Sequence, residues 1–227
     1  MTAHEAIPNR SDSDHDTRVA GIVLIAVPLL SILMMAHHPS AGSHEPAALV
    51  AEIADKAQLS RIVHGVLIAL MGAELFAFIA FCKRLGFERS AVRAGFVAYS
   101  IGTGAMIGAA LISGFIISDL AAHYVQQPSA DPASFVDLSR LAMTGNQALA
   151  KLGVIAMSTA IVSWSVALIH RTRDRWVGIA GFVAGFAPAI ALLAGVVRLD
   201  VGGMTLVVIC QAAWIVIVGI QMVRARI

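Results

Sequence analysis

Charged residues are scarce in this chain. Asp, Glu, Lys and Arg make up 13% of its 227 residues, and hydrophobic residues make up 58%. A soluble domain needs a largely polar surface, and this chain has too few charges to supply one. The composition therefore excludes a separate soluble domain and indicates a protein embedded in a membrane.

Cysteines and enzyme motifs are also sparse. The two cysteines, Cys82 and Cys210, fall at depths too different for an unstrained disulfide, and no CxxC, CxxCH or Cys/His zinc pattern occurs. No GxSxG elbow, Walker loop, GxGxxG after a strand or HExxH occurs either. These absences disfavour the common hydrolases, nucleotide-dependent enzymes and zinc proteases, although an intramembrane enzyme can assemble its site from dispersed residues.

Long apolar segments, in contrast, make up most of the chain. Six runs of 18 to 24 residues are each long enough to cross a hydrocarbon core of about 30 Å as a helix. They occupy residues 19–36, 62–82, 94–117, 152–169, 176–197 and 201–223. We predict an all-α polytopic membrane protein, a bundle of six transmembrane helices that forms one domain (19–227) after a polar N-terminal tail (1–18).

The distribution of Lys and Arg predicts the orientation, because cytoplasmic loops carry an excess of these residues. Eleven lie on the side of the termini: Arg10, Arg18, Lys83, Arg84, Arg89, Arg93, Arg171, Arg173, Arg175, Arg224 and Arg226. Five lie on the other side: Lys56, Arg61, Arg140, Lys151 and Arg198. Both termini are therefore expected in the cytoplasm and loops 37–61 and 118–151 outside, in a bacterial-type plasma (inner) membrane. Topology explains these charges, so the expected partner is the lipid bilayer and no nucleic-acid surface is predicted.

Each outward loop contains a predicted helix start. Glu45-Pro46 and Asp131-Pro132 place a proline directly after a carboxylate that can cap a helix. We expect a short interfacial helix in each loop, leading into the next span.

Small residues recur four positions apart in two spans. Gly104 pairs in this way with Gly108, and Gly181 with Gly185 and Ala189. Such spacing predicts close helix packing, either within the chain or across a homo-oligomer interface.

Glu74 is the most informative single residue. It lies about 18 Å from the outer edge of the second span at 1.5 Å per residue, where a carboxylate is costly and often marks a proton or cation path. Gln211, Thr103 and Thr159 fall at a comparable depth. These four residues are predicted to form a midplane polar site; alternatively, a protonated Glu74 holds helices together through hydrogen bonds.

Histidines are concentrated at the outer edge. His37, His38, His64 and His123 are all expected at one depth, and imidazole is a ligand for zinc, copper and haem iron. Glu45, Asp119, Met34 or Met35 could complete a shell around a metal ion or haem. The alternative is that polar loops simply collect histidines at the membrane interface.

One further pair, Gln147 and Lys151, lies on a common helix face at the outer end of the fourth span and could line a vestibule. Lys151 could equally extend its ammonium group to the lipid headgroups.

These features support three functional hypotheses. The first is proton- or cation-coupled transport of a small solute through the midplane site. The second is an outward-facing metal- or haem-binding membrane protein. The third is a structural or assembly partner without a small-molecule site.

Overall fold

The computed structural model describes residues 10–127, 131–171 and 175–227; residues 1–9 of the predicted tail and Arg173 lie outside these ranges. Within them no β-strand occurs, and six helices are long and apolar enough to cross a membrane, so the all-α, multi-pass prediction is confirmed. The elements are α1 (Arg10–Ala36), α2 (Pro46–Asp55), α3 (Ala57–Leu85), α4 (Ser90–Leu111), a π-helical turn (Ile112–Ile116), α5 (Ile117–Val125), α6 (Pro132–Ile169), α7 (Arg175–Leu193) and α8 (Val201–Val223).

The short helix predicted in the first outward loop is α2. Glu45 caps it, because its carboxylate accepts hydrogen bonds from the backbone N–H groups of Ala47 at 3.1 Å and Ala48 at 2.6 Å. Pro46 occupies the first helical position, where its missing N–H costs nothing. The capping pattern therefore identified this start correctly.

The second loop differs from the prediction, because its helix is not separate from the fourth span. Asp131 accepts a hydrogen bond from the N–H of Ala133 at 3.0 Å and so starts α6, which then runs for 38 residues. No proline follows Pro132 within the helix to interrupt it. The helix therefore begins at Asp131-Pro132 as predicted, but it is not short, because it is continuous with the fourth apolar run.

The six long helices form a ring. Each packs against the next along the chain, and α8 packs against α1 to close the ring, with α4, the π-helical turn and α5 acting as one continuous segment. Glycines allow the closest approach: a Cβ at Gly21 of α1 would lie 2.8 Å from the carbonyl oxygen of Gly219 in α8. This closed ring creates the interior in which the candidate site lies.

The two small-residue patterns have different surroundings. Gly181 lies against Trp214, and Gly185 lies against α6, where an added Cβ would be 2.8 Å from the carbonyl oxygen of Ser158. Gly104, by contrast, has open space around its Cα. The Gly181 pattern therefore serves packing within the chain, and its glycines are covered.

Aromatic side chains fill the half of the ring nearer the termini. We call Phe78, Phe81, Tyr99, Trp164 and Trp214 the aromatic plug; all five are at most 2% exposed. The rings of Phe78 and Trp164 stack with centroids 4.6 Å apart. The indole N–H groups donate to backbone carbonyls, Trp164 to Val92 at 3.2 Å and Trp214 to Val177 at 3.0 Å. These bonds hold the plug between α3, α4, α6 and the α7–α8 pair.

On the far side of the aromatic plug, polar contacts join the end of α3 to the first turns of α1 and to the C-terminal residue. Arg84 at the end of α3 donates from Nε to the carbonyl oxygen of Ile227 at 3.2 Å and lies 3.7 Å from the carboxylate of Asp14. Arg171 donates to the carbonyl oxygen of Arg84 at 2.8 Å. The end of the ring near the termini is thus tightly packed and joined by hydrogen bonds, whereas the other half contains a cavity.

Candidate functional site

A cavity of about 430 Å³ occupies the hollow half of the ring. Side chains from α1, α3, α4, α6 and α8 and from the connection that precedes α8 line it. The wall is largely apolar, and six of the nine methionines of the chain contribute to it: Met35, Met71, Met106, Met143, Met157 and Met204. This size and lining are typical of a site for a small molecule.

Glu74 lies at the deep end of the cavity, next to the aromatic plug. It is 8% exposed, and its Oε2 accepts a hydrogen bond from the hydroxyl of Tyr99 at 2.8 Å. Its Oε1 is buried and has no hydrogen-bond partner among the described residues. A buried acceptor without a partner is costly, so this oxygen is an unmet hydrogen-bonding position in the wall of the cavity.

The other predicted midplane residues lie in different surroundings. Gln211 lines the cavity and donates to the hydroxyl of Ser158 at 3.1 Å, joining α8 to α6. Thr103 is buried without lining the cavity, and its Oγ1 has no hydrogen-bond partner among the described residues. Thr159 is exposed and bonds the carbonyl oxygen of Ile155 in its own helix. The structure therefore brings Glu74 and Gln211 to one cavity and leaves Thr103 and Thr159 outside it.

His38 and His64 meet near the opposite end of the cavity. Their Nε2 atoms are 3.2 Å apart, and their ring centroids are 4.8 Å apart in an edge-to-face arrangement. The Nδ1 of His64 lies 2.8 Å from the carbonyl oxygen of Ser60, which fixes this ring. Burial lowers the pKa of His38 and so favours its neutral imidazole.

The histidine pair separates two spaces. A second cavity of about 190 Å³ also has His38 and His64 in its wall, together with Lys56 and Ser60. Lys56 is held there by hydrogen bonds to Glu52 and to the carbonyl oxygen of Ser40, both at 2.7 Å, and its ammonium group holds the pKa of Glu52 below its usual range. The pair therefore stands between the large cavity and the loop that carries α2.

The four predicted histidines do not converge. His37 bonds the carbonyl oxygen of Leu33 at 2.9 Å, and His123 packs its ring on Tyr124. No group of three or more His, Cys, Asp or Glu side chains suited to a metal ion occurs within the described ranges. Of the other suggested ligands, Glu45 caps α2 and Asp119 pairs with Arg61.

The predicted vestibule pair also divides. Gln147 lines the cavity and donates to the carbonyl oxygen of Leu199 at 2.9 Å, which fixes the connection before α8. Lys151 is exposed and does not line the cavity. The two side chains are four residues apart, which rotates Lys151 by about 40° around the helix axis relative to Gln147. This rotation places Lys151 outside the lining.

A π-helical turn next to α6 forms part of the cavity wall through Ser113. The carbonyl oxygen of Ala109 accepts hydrogen bonds from Asn146 at 2.7 Å and from Ser113 at 2.9 Å. Such turns leave a carbonyl without its normal helical partner, and these side chains replace it. Gly114 within the turn lies directly against the ring of His64, where a side chain would collide.

Several site residues were missed at the sequence level. Tyr99, Ser158 and most of the methionines were not singled out, although a periodic signal exists. His64, Leu67, Met71 and Glu74 follow 3- and 4-residue spacing along α3 and all line the cavity. This stripe on one face of α3, in which methionine and isolated polar residues alternate with apolar ones, is the sequence signal that could have identified the cavity wall.

Comparison of the chain with protein-family models, with curated proteins and with solved structures finds no match. The function is therefore inferred from the cavity and the residues that line it.

Proposed function

We propose that this protein is a membrane carrier that binds a small amphipathic solute in the large cavity and couples its passage to protonation of Glu74. The observation that carries the proposal is the position of Glu74. Glu74 lines an apolar chamber next to the aromatic plug, about 15 Å along α3 from the histidine pair, counted as ten residues, and its Oε1 is buried without a partner among the described residues. An intramembrane carboxyl group at such a position is a common proton or cation site.

The charge asymmetry supports an orientation for this carrier. We place the excess of Lys and Arg in the cytoplasm of a bacterial-type cell, on the inner side of its plasma membrane. The hydrogen-bonded end with both termini then lies inside, and the histidine pair lies outside. In this orientation the cavity faces outward, and the aromatic plug separates Glu74 from the cytoplasm. The basic end then contacts the anionic headgroups of the inner leaflet.

Passage requires a second conformation in which the plug opens. Protonation of Glu74 removes an uncompensated charge from the apolar interior, so passage of the solute depends on whether Glu74 carries a proton. Tyr99 belongs to both the plug and the site, because its hydroxyl holds Glu74 while its ring packs on Phe78 at 4.5 Å. Tyr99 is therefore the contact through which occupancy of Glu74 influences the plug.

Proteoliposomes test this proposal. Vesicles that contain a trapped pH-sensitive dye and an imposed pH gradient are exposed to an organic monocation, an organic monoanion, a neutral amphiphile and a sugar of similar size. We expect at least one of these solutes to dissipate the gradient with wild-type protein and not with Glu74→Gln. The proposal is contradicted if none of the solutes changes the pH gradient in wild-type vesicles. It is also contradicted if a solute dissipates the gradient equally in vesicles that contain Glu74→Gln.

Metal binding at His38 and His64 is the second candidate, and the spacing of their nitrogens favours it. Two imidazoles on a tetrahedral ion at about 2.05 Å place their nitrogens about 3.3 Å apart, close to the 3.2 Å observed. The hydrogen bond from His64 to Ser60 orients a ligand in the manner of an outer-shell partner. Two axial ligands of a haem need about 4 Å, so the pair fits a single metal ion better than a haem.

Metal analysis tests this second candidate. Purified protein is dialysed against Zn²⁺ or Cu⁺ and compared with the His38→Ala/His64→Ala double variant. One bound ion per chain that the double variant loses supports the site. Equal content in both proteins contradicts it, as does an absence of bound metal.

A further inference from the structure

We propose that the solute is a lipophilic monovalent cation, a protonated amine or a quaternary onium with an apolar body, that displaces the proton of Glu74. This inference rests on the proposed function and adds the chemical class of the ligand. It is carried by the charge, the chemistry and the dimensions of the large cavity.

The charges of the cavity have one sign. Its acidic groups are Glu74 at the closed end and Asp200 at the other end, and among the described residues no Lys or Arg lines it. Asp200 is engaged in capping α8, where it accepts from the N–H of Gly203 at 2.8 Å. Asp200 is exposed, so Glu74 is the buried acidic group of the described lining, and in its ionised form it would repel an anion.

The groups packed around Glu74 do not supply a cation of their own. Tyr99 of α4 donates a neutral hydroxyl, and Gln211 of α8 is already bonded to Ser158. Within the described parts of α1 and α6, no titratable side chain lines the cavity. The remaining titratable groups in the lining are His38 and His64 near the opposite end. An ionised Glu74 thus needs a cation from outside the protein to balance its charge.

The walls suit an apolar body of variable shape. Six methionines surround the chamber, and methionine is flexible and polarizable enough to adapt to different ligands. A thioether also tolerates a nearby soft cation better than an aliphatic side chain does, because its sulfur is a weak acceptor. The volume of about 430 Å³ lies within the range for drug-sized ligands.

The exchange balances in protons and charge. The protonated carboxyl group of Glu74 loses its proton to the solvent at the open end, and the cation takes its place beside the carboxylate. One proton is released for each cation bound, and the net charge within the cavity does not change. A hydrated inorganic cation is disfavoured, because the apolar wall replaces few of its water contacts.

Two ions of the same shape and opposite charge test the inference. Tetraphenylphosphonium and tetraphenylborate are titrated into detergent-purified wild-type protein in weakly buffered solution, and both heat and proton release are recorded. We expect the phosphonium ion to bind with release of about one proton per chain, and to bind at least 100-fold more tightly than the borate. With Glu74→Gln we expect both the proton release and this preference to disappear.

The outcomes separate this inference from the proposed function. Equal binding of the two ions, or tighter binding of the borate, overturns the cation assignment even if the Glu74→Gln variant does not fold, since the wild type decides it. Phosphonium binding without proton release also overturns the exchange. If an anionic or neutral solute dissipates the pH gradient in vesicles while the phosphonium ion does not bind, the carrier proposal stands and the cation assignment fails.

Discussion

Replacing Tyr99 with phenylalanine is expected to weaken binding of tetraphenylphosphonium more than it destabilises the protein. The substitution removes the hydroxyl that donates to Glu74 at 2.8 Å and leaves the ring of the plug in place. The hydroxyl is needed most when Glu74 is ionised, because a hydrogen bond to a charged group is stronger than one to a neutral group.

The magnitude follows from the two states of Glu74. A hydrogen bond to a neutral partner contributes about 0.5–1.5 kcal/mol and one to a charged partner about 1.5–3 kcal/mol. The difference of about 1–1.5 kcal/mol is the extra cost of Tyr99→Phe in the cation-bound state. At 1.4 kcal/mol per factor of ten, the dissociation constant should rise about fivefold to twelvefold.

The matched control is Tyr124→Phe, which removes the hydroxyl of the other tyrosine of the chain. Tyr124 lies in α5, packs on Phe135 and does not line the cavity. Calorimetric titration of both variants with tetraphenylphosphonium, alongside their thermal unfolding midpoints, gives the two quantities. An unchanged dissociation constant in Tyr99→Phe, or an equal loss in Tyr124→Phe, would refute the assignment of Tyr99 as the partner of an ionised Glu74.

Three further predictions concern the cavity, its wall and its histidine pair. Ala110→Leu places a larger side chain in the cavity and should reduce tetraphenylphosphonium binding at least tenfold in equilibrium titrations without lowering the unfolding midpoint, whereas Ala73→Leu on the exposed face of α3 should leave binding unchanged. Asn146→Leu removes one of the two side-chain donors to the carbonyl oxygen of Ala109 and leaves Ser113 as the other, so it should cost about 0.5–1.5 kcal/mol in denaturant unfolding; a loss no larger than that of an exposed substitution would contradict this role. Burial lowers the pKa of His38 in the folded protein, so as the pH falls the unfolded chain binds a proton at this residue before the folded protein does. The free energy of unfolding contributed by neutral His38 is therefore present above about pH 6.5 and is lost as the pH falls further. His38→Gln should therefore flatten the fall in unfolding midpoint between about pH 6.5 and 5, and an unchanged slope would assign that fall to other groups.

Hydrophobic runs alone were sufficient to predict the membrane-spanning helices, because each run must satisfy its backbone within itself. Their ends were less predictable. Residues 132–151 carry polar side chains and were expected outside the fourth span, yet they continue α6, since no residue between Pro132 and Ile169 interrupts the helix. Polarity marks where a helix leaves lipid, and it does not mark where the helix ends.

Residue counts give an expected depth along each helix, but they do not give the direction of a side chain around the helix axis. Thr159 was expected beside Glu74 on depth alone, but it faces outward while its neighbour Ser158 faces Gln211. Successive residues differ by about 100° around a helix, so only the packing of the ring decides which of them faces the cavity. Gln147 and Lys151 differ by only about 40° around the axis of α6, so Gln147 lies at the edge of the lining face and Lys151 falls just outside it.

Glu74 itself was identifiable because an isolated carboxyl group within a span is costly wherever it points. Its partner Tyr99 was not, since the contact joins residues on two helices and tyrosine is common in helix packing. The pairing of His38 with His64 likewise depends on the loop that follows α1 and on Gly114, which lets the π-helical turn approach the ring of His64. Contacts of this kind arise from tertiary packing and leave little trace in a single sequence.

The most direct test of the central claim is labelling of Glu74 by a hydrophobic carbodiimide, which reacts with protonated carboxyl groups, mapped by peptide mass spectrometry. If Glu74 is a protonated group reached through the cavity, it should be labelled in wild-type protein, labelled more slowly in Ala110→Leu, and protected by tetraphenylphosphonium but not by tetraphenylborate. If Glu74 is not labelled, or if both ions protect it equally, then it is not a proton and cation site at the end of an open chamber.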